Sequence, residues 1–254
     1  MTFLELYGDR LDRELGSADR THLFTTARRQ AAIQDAQRDW VRQTECLVRE
    51  STVSLVDEVG EYDLERACPD FWFLTGRGPA LEQEDAAGTV TVLVGEDLPQ
   101  RTVAWLDRED PGWRQADPGT PTAWYLRPDG GRTWLGLTPM PDIGTTDLWT
   151  LRVPYVAEPA DLVADSDEPF TVHENSPTRL RAWHQALVHR AAASLELLRR
   201  DRAAHDWQLQ RYATYVTDYL QRTRARGGST ISFARDYRGE VRGTVDGVVS
   251  DPRR

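Results

Sequence analysis

Lysine is absent from the chain; all 31 cationic residues are arginine. No folding principle demands this, and it does not make the protein basic, because 41 acids leave a net charge of −10. That balance argues against a duplex-binding domain, which needs positive charge to meet phosphate. Cysteine is nearly absent too. Cys46 and Cys68 are too few for a disulfide framework and read as reduced, structural thiols. No run approaches the ~18 apolar residues of a membrane-spanning helix. The opening MTFLELYGDR sets Glu5 and Asp9 where a secretory signal needs an apolar core, so no signal is expected. Recognisable catalytic signatures are missing as well: there is no HExxH, CxxC, P-loop, GxSxG or GxGxxG.

What remains is ordinary globular material, 254 residues at 39% hydrophobic and 28% charged, enough for one large or two small domains. The charge is unevenly placed. Residues 1–45 carry net −1, residues 46–175 net −16, and residues 176–254 net +7. An acidic middle and a basic end suit self-complementary subunits or a charged partner, and equally suit plain solvated surface.

Periodicity divides the chain. Phe3, Leu4, Leu6, Tyr7 and Leu11 recur near helical spacing until Gly16-Ser17, and Asp19 is placed to cap a second helix carrying Leu23, Ala27, Ile33, Ala36, Trp40 and Val41. Residues 1–45 are thus expected to be two helices. Residues 46–157 change texture. TVSLV (52–56) and EYDL (61–64) flank DEVG as an expected hairpin. Phe71–Leu74, Thr89–Val94, Val103–Leu106, Ala123–Leu126, Thr133–Leu137 and Leu148–Val156 are expected strands. Asp129-Gly130-Gly131 supplies the positive φ of a tight turn. Most prolines fall between Pro69 and Pro169, which excludes helix interiors there and points to an all-β module, a small sandwich or barrel-like sheet. Residues 158–175 read as an acidic linker. Ser176-Pro177 opens a helical hairpin over 176–226, with the stripe Leu180, Trp183, Leu187, Ala191, Leu195, Leu198, a turn near Asp201, then Leu209, Tyr212, Val216 and Tyr219. Gly227-Gly228 ends it, leaving 227–254 as a C-terminal arm. The fold class is α+β: a helical bundle from the N- and C-terminal helices, with an antiparallel β module inserted.

Candidate chemistry is sparse. Histidines stand at 22, 173, 184, 189 and 205. His184 and His189 are five apart, about 140° around a helix, and miss the i,i+4 spacing of helical zinc ligands. Asp165-Ser166-Asp167-Glu168 is dense in hard oxygen ligands but lacks the glycine and distal glutamate of a calcium loop. Trp72, Trp105, Trp113, Trp124, Trp134 and Trp149 either fill a small core or form an aromatic face for sugar rings or a partner protein. Arg199, Arg200 and Arg202 either touch phosphate or form a solvated or subunit-contact surface. No metal, cofactor or catalytic residue is expected.

The order of phrases is more informative than any one of them. Val59-Gly60-Tyr62-Leu64 is followed by Pro69-Asp70-Phe71, Gly119-Pro121-Trp124-Tyr125, Tyr155-Pro159-Leu162 and the helical Ala186–Asp201. Over roughly residues 1–225 this order resembles the head-to-tail adaptor (connector) proteins of tailed bacteriophages and gene transfer agents. Residues 77–112 are longer and more acidic than that pattern needs, and 227–254 has no counterpart in it. The resemblance implies a structural virion protein at the neck, assembled in the host cytoplasm. It implies a homo-oligomeric ring, a dodecamer when matched to the portal, joined to a tail or nozzle protein. Genome DNA would pass through without sequence-specific binding, and no membrane is involved. Ile231, Phe233 and Tyr237 are the expected apolar anchors of a docking arm, with Arg238 and Arg242 suited to acidic partners. The other reading is a tryptophan-rich glycan- or receptor-binding virion protein.

Overall fold

A computed structural model of the chain describes residues 1–16, 23–84, 89–95, 98–143, 148–171 and 178–227. It is α+β and divides into two compact units. The first combines Met1–Cys46 with Pro159–Arg254; the second is Leu47–Glu158.

The first unit is helical. α1 (Phe3–Glu5), a π turn (Leu6–Arg10) and α2 (Leu11–Leu15) follow one another without a break. Thr2 and Glu5 cap the start reciprocally, each side chain taking the other's backbone N–H, and Gly16 ends the run at φ 61°. Phe3, Leu6, Leu11 and Leu15 are buried from it. α3 (Thr26–Thr44) is capped by Thr25, whose hydroxyl accepts from Arg28 N. The expected cap, Asp19, lies outside the described residues. Ile33, Ala36, Gln37, Trp40, Val41 and Thr44 form its buried stripe.

α6 (His184–Leu198) follows a 3-10 turn (Thr178–Trp183) and packs against α2, α3 and α7 (Arg202–Gly227). Between them Arg200 sits at φ 62° and Asp201 Oδ1 accepts from Ala204 N at 3.0 Å, which starts α7. Leu187, Ala191 and Leu195 are buried as the stripe requires, but Leu198, at the turn where α6 ends, is exposed. The Ser176-Pro177 start lies outside the described residues. Trp40 is the hub of this core, its ring 5.8 Å from Trp183, 6.0 Å from Tyr212 and 5.6 Å from Tyr219.

Residues 159–171, read from composition as part of a linker, are packed onto these helices. Gln37 is buried and uses both ends of its amide: Nε2 donates to Ala160 O and Oε1 accepts from Phe170 N. Leu162 and Phe170 are buried, and Phe3 N donates to Asp167 O at 2.7 Å. Backbone and carboxylates alike are tied in by hydrogen bonds, so charge alone misled.

The second unit contains two antiparallel sheets. One has the order β1 (Val48–Ser54), β8 (Leu148–Ala157), β4 (Ala80–Glu84), β5 (Val90–Val94), with β3 (Phe71–Leu74) also on β8. The other is β2 (Glu61–Asp63), β7 (Arg132–Thr138), β6 (Ala123–Asp129). Val53, Leu81 and Leu151 from the first share one core with Tyr62, Trp124 and Leu135 from the second. The 123–138 hairpin turns at Gly130 and Gly131, with φ 59° and 83°.

Three expectations fail in this unit. The 52–56 and 61–64 strands do not form a hairpin: β1 is paired along its length by β8, and β2 by β7. Val103–Leu106 is helical, the first part of α5 (Val103–Glu109). Thr102 caps it, and Leu106 is its one fully buried side chain, so a strand's alternation has nothing to bury. With α5 and the short α4 (Leu64–Ala67) present, the unit is β-rich rather than all-β. β4 was not anticipated, because ALEQE is too polar to read as a strand.

Candidate assembly surfaces

The arm residues Ile231, Phe233, Tyr237, Arg238 and Arg242 lie outside the described residues, as do His22 and His173. The remaining histidines are structural. His189 is buried, with Nδ1 2.7 Å from Gln208 Oε1 and its ring stacked on Tyr215. His205 Nδ1 is 2.8 Å from Ala193 O. His184 is buried against the Phe170 ring. Burial, helped by the N-terminal amine, lowers its pKa from 6.5 to about 4.

That shift has a measurable consequence. The folded pKa lies below the unfolded one, so as pH falls through 6.5 the unfolded chain takes up the proton first. Stability present above pH 6.5 is lost progressively down to about 4. Denaturant titrations should show the wild-type chain losing about 2 kcal/mol between pH 7 and pH 5 relative to His184→Leu. Parallel pH profiles for the two proteins would show that His184 is not the group responsible.

The acidic cluster is spent on local structure. Asp165 Oδ1 accepts from the Tyr7 hydroxyl at 2.6 Å. The Asp167 carboxylate accepts from Val163 N and Ala164 N, and Glu168 pairs with Arg181. Among the described residues no group of three or more His, Cys, Asp or Glu is placed to hold a metal ion. Cys46 and Cys68 are buried and not joined by a disulfide, and burial pushes the Cys68 thiol up. Trp113, Trp124 and Trp149 are core residues, Trp124 donating its indole N–H to Leu98 O. Trp105 is exposed beneath the Arg101 guanidinium, 4.5 Å away, and Trp72 and Trp134 are half-buried.

The phrases whose order was informative are structural nodes. Tyr62 O–H donates to Val59 O at 2.7 Å and its oxygen accepts from Val56 N, closing the loop before β2. Gly60 O accepts from Leu137 N, bringing that loop to β7. Asp70 accepts from the Tyr155 hydroxyl at 2.7 Å and from Arg49 at 2.6 Å. Burial alone would raise the Asp70 carboxyl; those two donors outweigh it and hold it below the usual range. Tyr125 O–H donates to Glu61, which the Arg127 guanidinium also grips. These residues connect separate strands, and none is arranged for bond making or breaking.

Two exposed apolar surfaces were not visible in the sequence. Val90, Val92 and Leu148 lie at one corner of the larger sheet, and Leu197, Leu198 and Trp207 lie around the α6–α7 turn. VTVLV announces a strand but does not say which face stays uncovered, and Leu198 continued a buried stripe by spacing. Arg199 turns to Glu196, while Arg200 and Arg202 are exposed.

No helix among the described residues is long and apolar enough to cross a membrane. No curated protein matches the chain. The family model described as SU10 adaptor protein matches residues 1–234. That match runs past Gly227 to include Ile231 and Phe233, further than the order of phrases had reached. The family is a structural one rather than an enzyme family. Matched over nearly its whole length, the chain belongs to the SU10 adaptor protein family, the phage adaptors of the head-to-tail junction.

Proposed function

We propose that this adaptor assembles as a homo-oligomeric ring between the portal and the tail or nozzle protein, surrounding the path of the genome. The family match over residues 1–234 carries this reading. The chain's charge is compatible with it. A net −10 protein does not hold phosphate along a conduit, and the split into a −16 middle and a +7 end suits contacts between neighbouring copies. Ring order matching the portal makes it a dodecamer. N- and C-terminal helices act together as a bundle, and the β module is inserted between them in the sequence. The ring has no catalytic task, sits at the virion neck, and is recruited from the host cytoplasm as particles mature.

Residues 227–254 are the docking arm in this reading. Ile231, Phe233 and Tyr237 anchor it, and Arg238 and Arg242 meet acidic groups on the portal or on a neighbouring subunit. The experiment is co-sedimentation of the full chain with portal-containing particles, beside a chain ending at Arg226. The shortened chain should keep the helical circular dichroism of the parent and fail to join particles. Normal incorporation of the shortened chain would remove the arm from the reading; absence of the full chain from particles would remove the reading itself.

A further inference from the structure

The larger sheet's exposed corner and the turn end of the α6–α7 hairpin are both apolar and carry opposite charge. Residues directly opposite across a sheet share a face. Val90 is opposite Glu84, Glu84 is opposite Leu148, and Val92 is opposite Glu82. Val90, Val92 and Leu148 are 57%, 53% and 65% exposed, aliphatic side chains on the two strands that flank the Glu82 and Glu84 carboxylates of β4. Glu82 is held by Arg152 at 3.2 Å, whereas Glu84 makes no ion pair among the described residues. β5 is uncharged and, among the described residues, pairs only with β4, so this corner is also the sheet's open side.

The hairpin turn presents the counterpart. Leu197, Leu198 and Trp207 are 54%, 58% and 49% exposed, and Arg211 stacks on Trp207 at 4.8 Å. Arg200 and Arg202 are exposed and make no ion pair among the described residues. Both surfaces are exposed among the described residues, and their charges are opposite in sign.

We infer that the α6–α7 turn of one copy docks on the Val90–Val92–Leu148 corner of a second copy, with Arg202 set against Glu84. Every copy then carries one half of the contact at each of two places. The contact is heterologous and repeats head to tail, which generates a ring when its rotation closes. This inference rests on the ring proposed above and names the surfaces that build it. Apolar area supplies the attraction at the centre. The Arg202–Glu84 pair chooses the partner and the register, and charges farther apart than about 8–10 Å are screened by salt.

Disulfide trapping in the full chain tests it. Cys46 and Cys68 are buried, so oxidation reports on introduced thiols. A concentrated mixture of Val92→Cys and Leu198→Cys chains at low salt should give a cross-linked heterodimer. A chain carrying both substitutions should give a ladder of multimers, also when recovered from particles. Arg202→Glu or Glu84→Arg alone should lower the cross-linked fraction at least tenfold, and the two reversals together in one chain should restore it. No heterodimer, an intramolecular band alone, or indifference to the charge reversals overturns the contact. Incorporation into particles without a ladder sinks this contact and leaves the adaptor reading standing. A ladder from the purified chain with none of it in particles supports the contact and sinks the portal reading.

Discussion

Gly136→Val is expected to destabilise the β-rich unit by at least about 3 kcal/mol, the top of the usual range for overpacking a filled core. Gly136 lies opposite Tyr125 in the β6–β7 ladder. A Cβ built at this position falls 2.0 Å from Tyr125 Cζ and under 2.5 Å from two more ring carbons. The ring has nowhere to go. It is buried, packs edge-on to Trp113 with centroids 5.0 Å apart, and its hydroxyl is tied to Glu61 at 3.0 Å. Moving it loses packing and a hydrogen bond together. Gly131→Ala is the control: its Cβ meets nothing within 4 Å, so its cost is confined to the φ of 83°, about 1–2 kcal/mol. Thermal and denaturant unfolding followed by tryptophan fluorescence should rank the two variants in that order. A Gly136→Val protein as stable as the parent would mean Tyr125 has room that its packing denies.

Trp40→Ala should cost about 4 kcal/mol, in the range for emptying a large aromatic site. Trp40 is fully buried and faces the rings of Phe170, Trp183, Tyr212 and Tyr219. Those rings come from α6's approach, from α7 and from the 159–171 segment, so one truncation loosens three attachments of α3. Its indole N–H has no hydrogen-bond partner among the described residues, which makes Trp40→Phe informative. Phenylalanine keeps most of the aromatic contact and removes a buried unpaired donor, so its cost should be less than half that of alanine. If phenylalanine and alanine prove equally damaging, ring stacking is not what holds this core.

The same residues show how far sequence reading reaches. Trp40, Ile33 and Ala36 stood on one helical stripe, and the structure buries all three. Phe71–Leu74 and the Gly130-Gly131 turn were legible because local chemistry decides them. A positive φ needs glycine, and an aromatic run bounded by breakers extends. Errors arose wherever a distant partner decides. DEVG joins two strands that pair elsewhere, and no local signal reveals the prior claim of β8 on β1. VAWL has strand propensity, yet Thr102 and a single buried Leu106 make it helix. ALEQE becomes β4 only because β8 and β5 lie on either side of it. The candidate surfaces divide the same way. The family phrases could be read in order, but their role as cross-strand ties needed coordinates. The aliphatic corner and the turn became visible only once exposure was known, and the arm residues lie outside the described residues.

The first helical unit is interrupted in sequence: its two parts flank the whole of Leu47–Glu158. Protein synthesis therefore imposes a waiting time. Residues 3–44 emerge with Phe3, Leu6, Leu11 and Trp40 ready for burial, but α6 does not begin until His184. At about 5–20 residues per second, the ribosome leaves those apolar faces without their partner for roughly 7–30 s. Before that interval ends the inserted unit is complete on the nascent chain and free to fold first. The early helices must be shielded by a chaperone or by transient contacts of their own. Order of emergence, rather than final stability, then sets where newly made adaptor is lost to aggregation.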